Sequence, residues 1–322
     1  MIAEKTQPRA FDWRAFVQKY GILLSLVLLS AVLTLKTDRF LTADNLTNVL
    51  RQSAINGIIS VGMMMVILTR GIDLSVGSVL ALATVVGADM LKNAGLPYPQ
   101  AIGIALLVGA AAGALNGVMV AWLNIPPFIA TLGMMTFARG AAKYYTDGQP
   151  ISGLEKQLGH GFRYLGTAEP FGVPMPIVVA GLVFLAAYVL LNHTPLGRYI
   201  FGLGDNEEAA YLSGLPVRAT TLFVYVSAGV LSALAGVILV GRLNSAQPTA
   251  GEMFEFDAIA AVVVGGTSFE GGEGTVWGTL IGVLIIGVID NGLNLLNVSS
   301  FYQDITKGAV IALALLLHRA VR

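Results

Sequence analysis

The chain has 322 residues and is 55% hydrophobic but only 12% charged, about half the charged share of a soluble domain, so most of its surface must meet lipid or itself. Its 19 basic and 19 acidic residues balance, which gives no electrostatic case for a nucleic-acid partner. The absence of cysteine removes disulfides, thiolate metal sites and thiol nucleophiles together.

Residues 1–19 form a polar tail carrying Lys5, Arg9, Arg14 and Lys19, with no small-residue cleavage signature after the apolar run that follows. It reads as a cytoplasmic tail before an uncleaved anchor helix. A membrane span needs roughly 20 mostly apolar residues, because the backbone must satisfy its own hydrogen bonds there. The candidates in chain order are Tyr20 to Leu35, Ala54 to Thr69, Val76 to Leu91, Ala101 to Leu123 and Pro127 to Ala138, then Val173 to Leu191, Ala219 to Val240, Phe256 to Gly265, Val276 to Leu296 and Tyr302 to Leu317. The expected fold class is therefore an all-α polytopic membrane protein with about ten transmembrane helices and both termini cytoplasmic. Lys and Arg divide nearly evenly between the two sides, so loop charge does not confirm that orientation. Residues 20–322 read as a single transmembrane domain.

The chain echoes itself. Asn116 to Gly133 and Asn291 to Gly308 share an Asn-Gly start, a Thr and a final Gly, and Val66-Ile67-Leu68 matches Val237-Ile238-Leu239. Spans two to five thus resemble spans seven to ten. A shift of five spans reverses direction through the bilayer, as in inverted-repeat transporters whose substrate path lies between the repeats. Gly109, Gly113 and Gly117 recur every four residues, stripping one helix face for close packing.

Polar residues inside this apolar frame are the candidate functional groups. Gly71 to Gly77 (GIDLSVG) separates spans two and three, and Asp73 or Ser75 either caps the next helix or marks a break lining a translocation path. Asp290 lies deep in span nine beside Asn291 and Asn294, as a functional acid or as the partner of Lys307. Asn116 and Phe128 complete the candidate pathway set. Two loops face outward on this arrangement, Lys143 to Gly172, periplasmic in this orientation, and Arg242 to Glu255. Either could receive a soluble partner, and either fits an ordinary solvated loop.

No Gly-Lys pair occurs, so a phosphate-cradling G-x-x-x-x-G-K-[ST] loop is absent and ATP, if used, must be hydrolysed by another subunit. Such a subunit needs a cytoplasmic docking surface. The longest inner polar stretch, His193 to Arg218, supplies a short capped helix: Asp205 or Asn206 as cap, Glu207 and Glu208 in the first turn, then Ala209, Ala210, Leu212 and Ser213, with Gly214 as the stop and Pro216 behind it. The same stretch also fits a plain connecting loop. The three histidines, at 160, 193 and 318, are scattered, which argues against a membrane-embedded enzyme. A proton-coupled secondary transporter using Asp73 or Asp290 is the remaining alternative.

GIDLSVGS (Gly71 to Ser78), IATLGMMTFARG (Ile129 to Gly140), TPLGRYIFGLGDNEEAAYLSG (Thr194 to Gly214), SAQPTAG (Ser245 to Gly251), DAIAAVVVGGTSFEGGEG (Asp257 to Gly274) and NGLNLL (Asn291 to Leu296) together resemble the permeases of ribose-type ABC importers, nearly end to end. The resemblance extends to permeases for xylose, galactose and the furanose-type autoinducer. It implies a fold like the membrane subunit of the cobalamin importer and a site in the bacterial inner membrane. It also implies a second copy of the chain, a cytoplasmic ATPase that uses ATP and Mg, and a periplasmic sugar-binding protein, with no cofactor bound by this chain. Glu208-Ala209-Ala210 followed by Gly214 matches the E-A-A-x-x-x-G element by which importer permeases engage their ATPases.

Overall fold

The structure is a computed structural model that describes residues 13–154, 159–299, 301–303, 305–309 and 312. Most of the polar tail and the C-terminal part of the tenth expected span lie outside the described residues, as do Glu155 and Lys156 of the long loop.

Helices dominate: α1 (Trp13–Lys36), α2 (Ala43–Leu68), α3 (Val76–Lys92), α4 (Tyr98–Ala121), α5 (Pro127–Tyr145), α6 (Gly159–Thr167), α7 (Met175–His193), α8 (Pro195–Asp205), α9 (Glu207–Leu212), α10 (Val217–Leu243), α11 (Phe254–Val264) and α12 (Val276–Leu295). Further helical turns follow at 301–303 and 305–309. Five of these, α2, α4, α7, α10 and α12, are long and apolar enough to cross a bilayer, where hydropathy had suggested ten spans. α3 has 17 residues and α11 only 11, because each follows a break in the chain.

Local chemistry sets the helix starts. Thr42 accepts from the Asn45 amide and Thr275 from the Gly278 amide, each satisfying an orphan N–H of a first turn. α4, α5 and α7 carry proline in their first turn, where the missing N–H costs nothing.

α2 is the central post. From Gly57 to Leu68 every residue is buried, and Ser60 is the one polar side chain among them. α10 runs antiparallel beside it, with Gly62 against Ala228, and α4 lies on α10 through its glycine stripe. A Cβ on Gly109 or Gly113 would collide with the backbone of Gly229 or Tyr225, so the two helices touch backbone to backbone, as the four-residue spacing predicts.

The bundle has two distinguishable ends. At one, α8 and α9 pack beside the end of α2 and the loop 265–275. At the other, Ile151 and Ser152 pair antiparallel with Ala246 and Ser245, and the Lys92 ammonium donates to the Ser152 carbonyl at 2.7 Å. α11 ends at the first of these, with Gly265 packed on Gly278. Eleven residues rise about 16 Å, half of a bilayer core of about 30 Å. The segment before α11 turns back into the bundle. Arg242 to Glu255, expected as an outward loop, turns inward until Gly251 lies against Gly77 at the start of α3; its carbonyl occupies the place of a Gly77 side chain. The element order long helix, break, short helix thus occurs twice, at α2–α3 and α10–α11, and the two breaks meet inside the bundle.

Candidate functional site

Three groups of residues stand out: the α8–α9 corner, the paired breaks and a polar cavity beside α11.

At the corner, Asn206 is the cap of α9. Its side-chain oxygen accepts from the Ala209 amide at 2.9 Å, and Glu207 and Glu208 occupy the first turn, where the helix dipole favours anions. Gly214 adopts φ +78°, the left-handed conformation that terminates the helix, and the Gly214 and Leu215 amides bond back to Tyr211 and Ala210. Ala210 is the buried anchor, whereas Tyr211 and Leu212 project outward at 72% and 77% exposure. Asp205 is not the cap but the last residue of α8, an amphipathic helix that the sequence reading left inside the connecting stretch. Glu207, Glu208, Tyr211 and Arg218 line a groove shared with Trp122 and Asn124 of the α4–α5 turn.

In the break after α2, Asp73, Ser75 and Asn116 are brought together and are nearly inaccessible. Asp73 Oδ1 accepts from the Ser75 amide at 2.8 Å and from the Ser75 hydroxyl at 2.6 Å, while Asn116 Nδ2 donates to Ser75 Oγ at 3.0 Å. Ser75 makes no capping bond itself; it is the donor, and Asp73 bonds the amide of Ser75. Thr131 of α5 donates to the Ile72 carbonyl at 3.0 Å, tying the break to a neighbouring helix. In the break after α10, Arg139 of α5 donates from Nη1 to the Pro248 carbonyl at 2.9 Å and the Ala250 carbonyl at 2.7 Å.

The cavity, about 240 Å³, is lined by polar side chains: Gln52, Asn56, Arg242, Asp257, Asp290 and Lys307. Lys307 sits between two carboxylates, 3.0 Å from Asp257 and 3.3 Å from Asp290. The expected Asp290–Lys307 pair is thus present but shared with Asp257, which the sequence reading passed over. A lone lysine buried in an apolar bundle would be costly, and this one has two carboxylates within ion-pair distance.

The other candidates do not join these groups. Asn291 exchanges reciprocal amide bonds with Asn45 at 3.0 and 2.8 Å, pinning α12 to α2. Asn294 accepts from Gln303 at 2.9 Å in the turn after α12, and Phe128 lies half-exposed on the outer face of α5.

The comparisons with known proteins bear on these arrangements. The family profile of the "Branched-chain amino acid transport system / permease component" matches residues 45–315. The chain is 47% identical over 317 residues to the ribose import permease protein RbsC of Escherichia coli K12, covering 98% of each. It is 48% identical to the Bacillus subtilis protein of the same name, covering 98% of this chain and 97% of that one. It is 38% identical to the D-allose transport system permease protein AlsC of Escherichia coli, covering 99% and 97%. The chain belongs to this permease family. No solved structure matches it.

As a member of that family the chain is a membrane transport component and not an enzyme, so its polar groups are to be read as positioning or conducting groups rather than catalytic ones. Two of the residues missed from sequence share one trait. Arg139 and Asp257 lie within helices rich in apolar residues, where a hydropathy window averages a few charges away. Glu255 and Asp257 stand two residues apart at the head of an apolar run, which was the available signal.

Proposed function

We propose that this chain is the membrane-spanning subunit of an ATP-driven importer of ribose or a closely similar sugar in a bacterial inner membrane. The observation that carries this reading is the near full-length identity of 47–48% to ribose import permeases, against 38% to the D-allose permease. In this reading α1, α2, α3, α4, α5, α7, α10, α11, α12 and the helix begun at 301 make ten crossings, in the manner of the cobalamin importer's membrane subunit. The α9 end faces the cytoplasm. Two copies enclose the path, a periplasmic binding protein delivers sugar, and a separate ATPase that uses ATP and Mg docks on Asp205 to Gly214. The exposed Tyr211 and Leu212, a buried Ala210 and a capped first turn support that docking role, since they present a rigid apolar knob on a well-anchored base.

The breaks supply the physical means of alternating access. Irregular backbone is tolerated at membrane depth only where it is buried or lines a cavity. Asp73 and Asn116 both bond Ser75, so in this reading the group fixes the break, while the buried Asn116 Oδ1 keeps no protein partner.

Purified permease, ATPase and binding protein in proteoliposomes test the proposal. Ribose uptake should require all three chains and ATP, and Glu208→Arg should abolish sugar-stimulated hydrolysis while the permease keeps its melting temperature. Uptake by this chain alone under a pH gradient would instead establish a secondary transporter. Binding-protein delivery of D-allose with equal efficiency would remove the preference for ribose.

A further inference from the structure

We propose that Arg70 is a positioning residue for energy coupling: it holds the α8–α9 corner, the end of α2 and the loop 265–275 as one moving part. The inference rests on the reading of α9 as the ATPase contact and assigns the link by which its movement reaches the membrane interior.

Arg70 follows the last turn of α2 and adopts φ +62°, a left-handed conformation unusual for a side chain of its size. In that conformation its guanidinium reaches three backbone carbonyls. Nε donates to the Gly204 carbonyl and the Glu270 carbonyl, each at 2.7 Å, and Nη2 donates to the Asp205 carbonyl at 2.5 Å. Gly204 and Asp205 supply the last carbonyls of α8, the negative end of that helix, where a cation is favoured. A planar fork can serve carbonyls from two segments at once; an ammonium is a single point.

No layer of side chains separates the three segments. The Leu68 carbonyl accepts from the Gly272 amide at 3.0 Å, a Cβ on Gly204 would collide with that same carbonyl, and a Cβ on Gly272 would lie 3.0 Å from the Cα of Asp205. Such a junction cannot shear without breaking backbone contacts. From it, one route leads through residues 71–75 to Gly77, which touches Gly251. The other leads through loop 265–275 and the Gly265–Gly278 contact into α11, which begins just after Gly251. Both routes end at the crossing of the two breaks. A displacement of α9 therefore reaches that crossing from both sides, provided that Arg70 keeps the corner joined.

Arg70→Lys and Arg70→Gln, assayed in the assembled transporter, test this, with Arg198→Lys as a control at an exposed arginine of α8. Three quantities are read: ATPase bound per permease, ATP hydrolysed, and sugar moved per ATP. ATPase binding and hydrolysis should persist, while sugar moved per ATP falls about tenfold for Arg70→Gln and by less for Arg70→Lys. A purely structural role would lower hydrolysis and uptake in proportion, and that result overturns the proposal, as does an unchanged ratio. Loss of ATPase binding also overturns it, by making Arg70 a docking residue. Should Arg70→Gln fail to fold, Arg70→Lys alone decides by the same ratio. Glu208→Arg is run in parallel: if it leaves binding and uptake intact, the α9 reading fails whatever Arg70 shows.

Discussion

The two breaks that meet inside the bundle are closed differently. After α2, the chain is held partly by its neighbours in sequence, with Asp73 bonding the amide and hydroxyl of Ser75 two residues on, and partly by Asn116 of α4 and Thr131 of α5. After α10, the carbonyls of Pro248 and Ala250 are held from another helix, by Arg139 of α5, over a hundred residues away in sequence. A break closed from within keeps its shape when its surroundings shift. One closed from a distant helix moves with that helix. The first break therefore has a local brace of its own beside its ties to α4 and α5, whereas the second depends on the charged donor from α5.

The crossing common to both is where the largest effect is expected. Gly77→Ala drives a Cβ into the Gly251 carbonyl, backbone against backbone, and should cost about 3 kcal/mol in thermal unfolding of the detergent-solubilised protein. Gly103→Ala, where an added Cβ meets nothing within 4 Å, is the matched control and should change little. Equal melting of the two variants would mean that the breaks do not touch as described. Arg139→Ala comes next. It leaves the Pro248 and Ala250 carbonyls without their charged donor, an expected loss of about 2 kcal/mol, with faster amide exchange at 246–253 and unchanged exchange at 71–75. Acceleration in both segments would show one cooperative unit rather than two separately held breaks. Asp73→Asn is the mildest, since the amide oxygen still accepts from Ser75; about 1 kcal/mol is expected, with no change near Pro248. A larger cost than that of Arg139→Ala would reverse the ranking of the two breaks.

This contrast also explains what the sequence disclosed. The α9 corner was legible almost residue by residue, because capping is a local grammar: Asn206, two glutamates, Gly214 and Pro216 act within a dozen positions. Gly109, Gly113 and Gly117 were legible for the same reason, as a periodic face. The first break could be located from GIDLSVG, although the roles of Asp73 and Ser75 in it came out differently, since donor and acceptor depend on backbone conformation. The second break could not be placed. SAQPTAG has the composition of a surface loop, and only its bonds to Arg139 and its contact with Gly77 carry it inward. The shared ion pair was half visible for a similar reason: Asp290 and Lys307 are near in sequence, whereas Asp257 reaches them through the packing of α11.

The short strand pair at the far end has a bearing on chain length. Ala246 is fixed by pairing with Ile151, and Gly251 is fixed by its contact with Gly77. The residues between, 247–250, are consequently a tether pinned at both ends, and two of their carbonyls are already claimed by Arg139. That tether is folded into a turn, the Ala250 amide donating to the Gln247 carbonyl at 3.0 Å, so a residue inserted or deleted there must reshape the turn that sets how far the crossing lies from the strands.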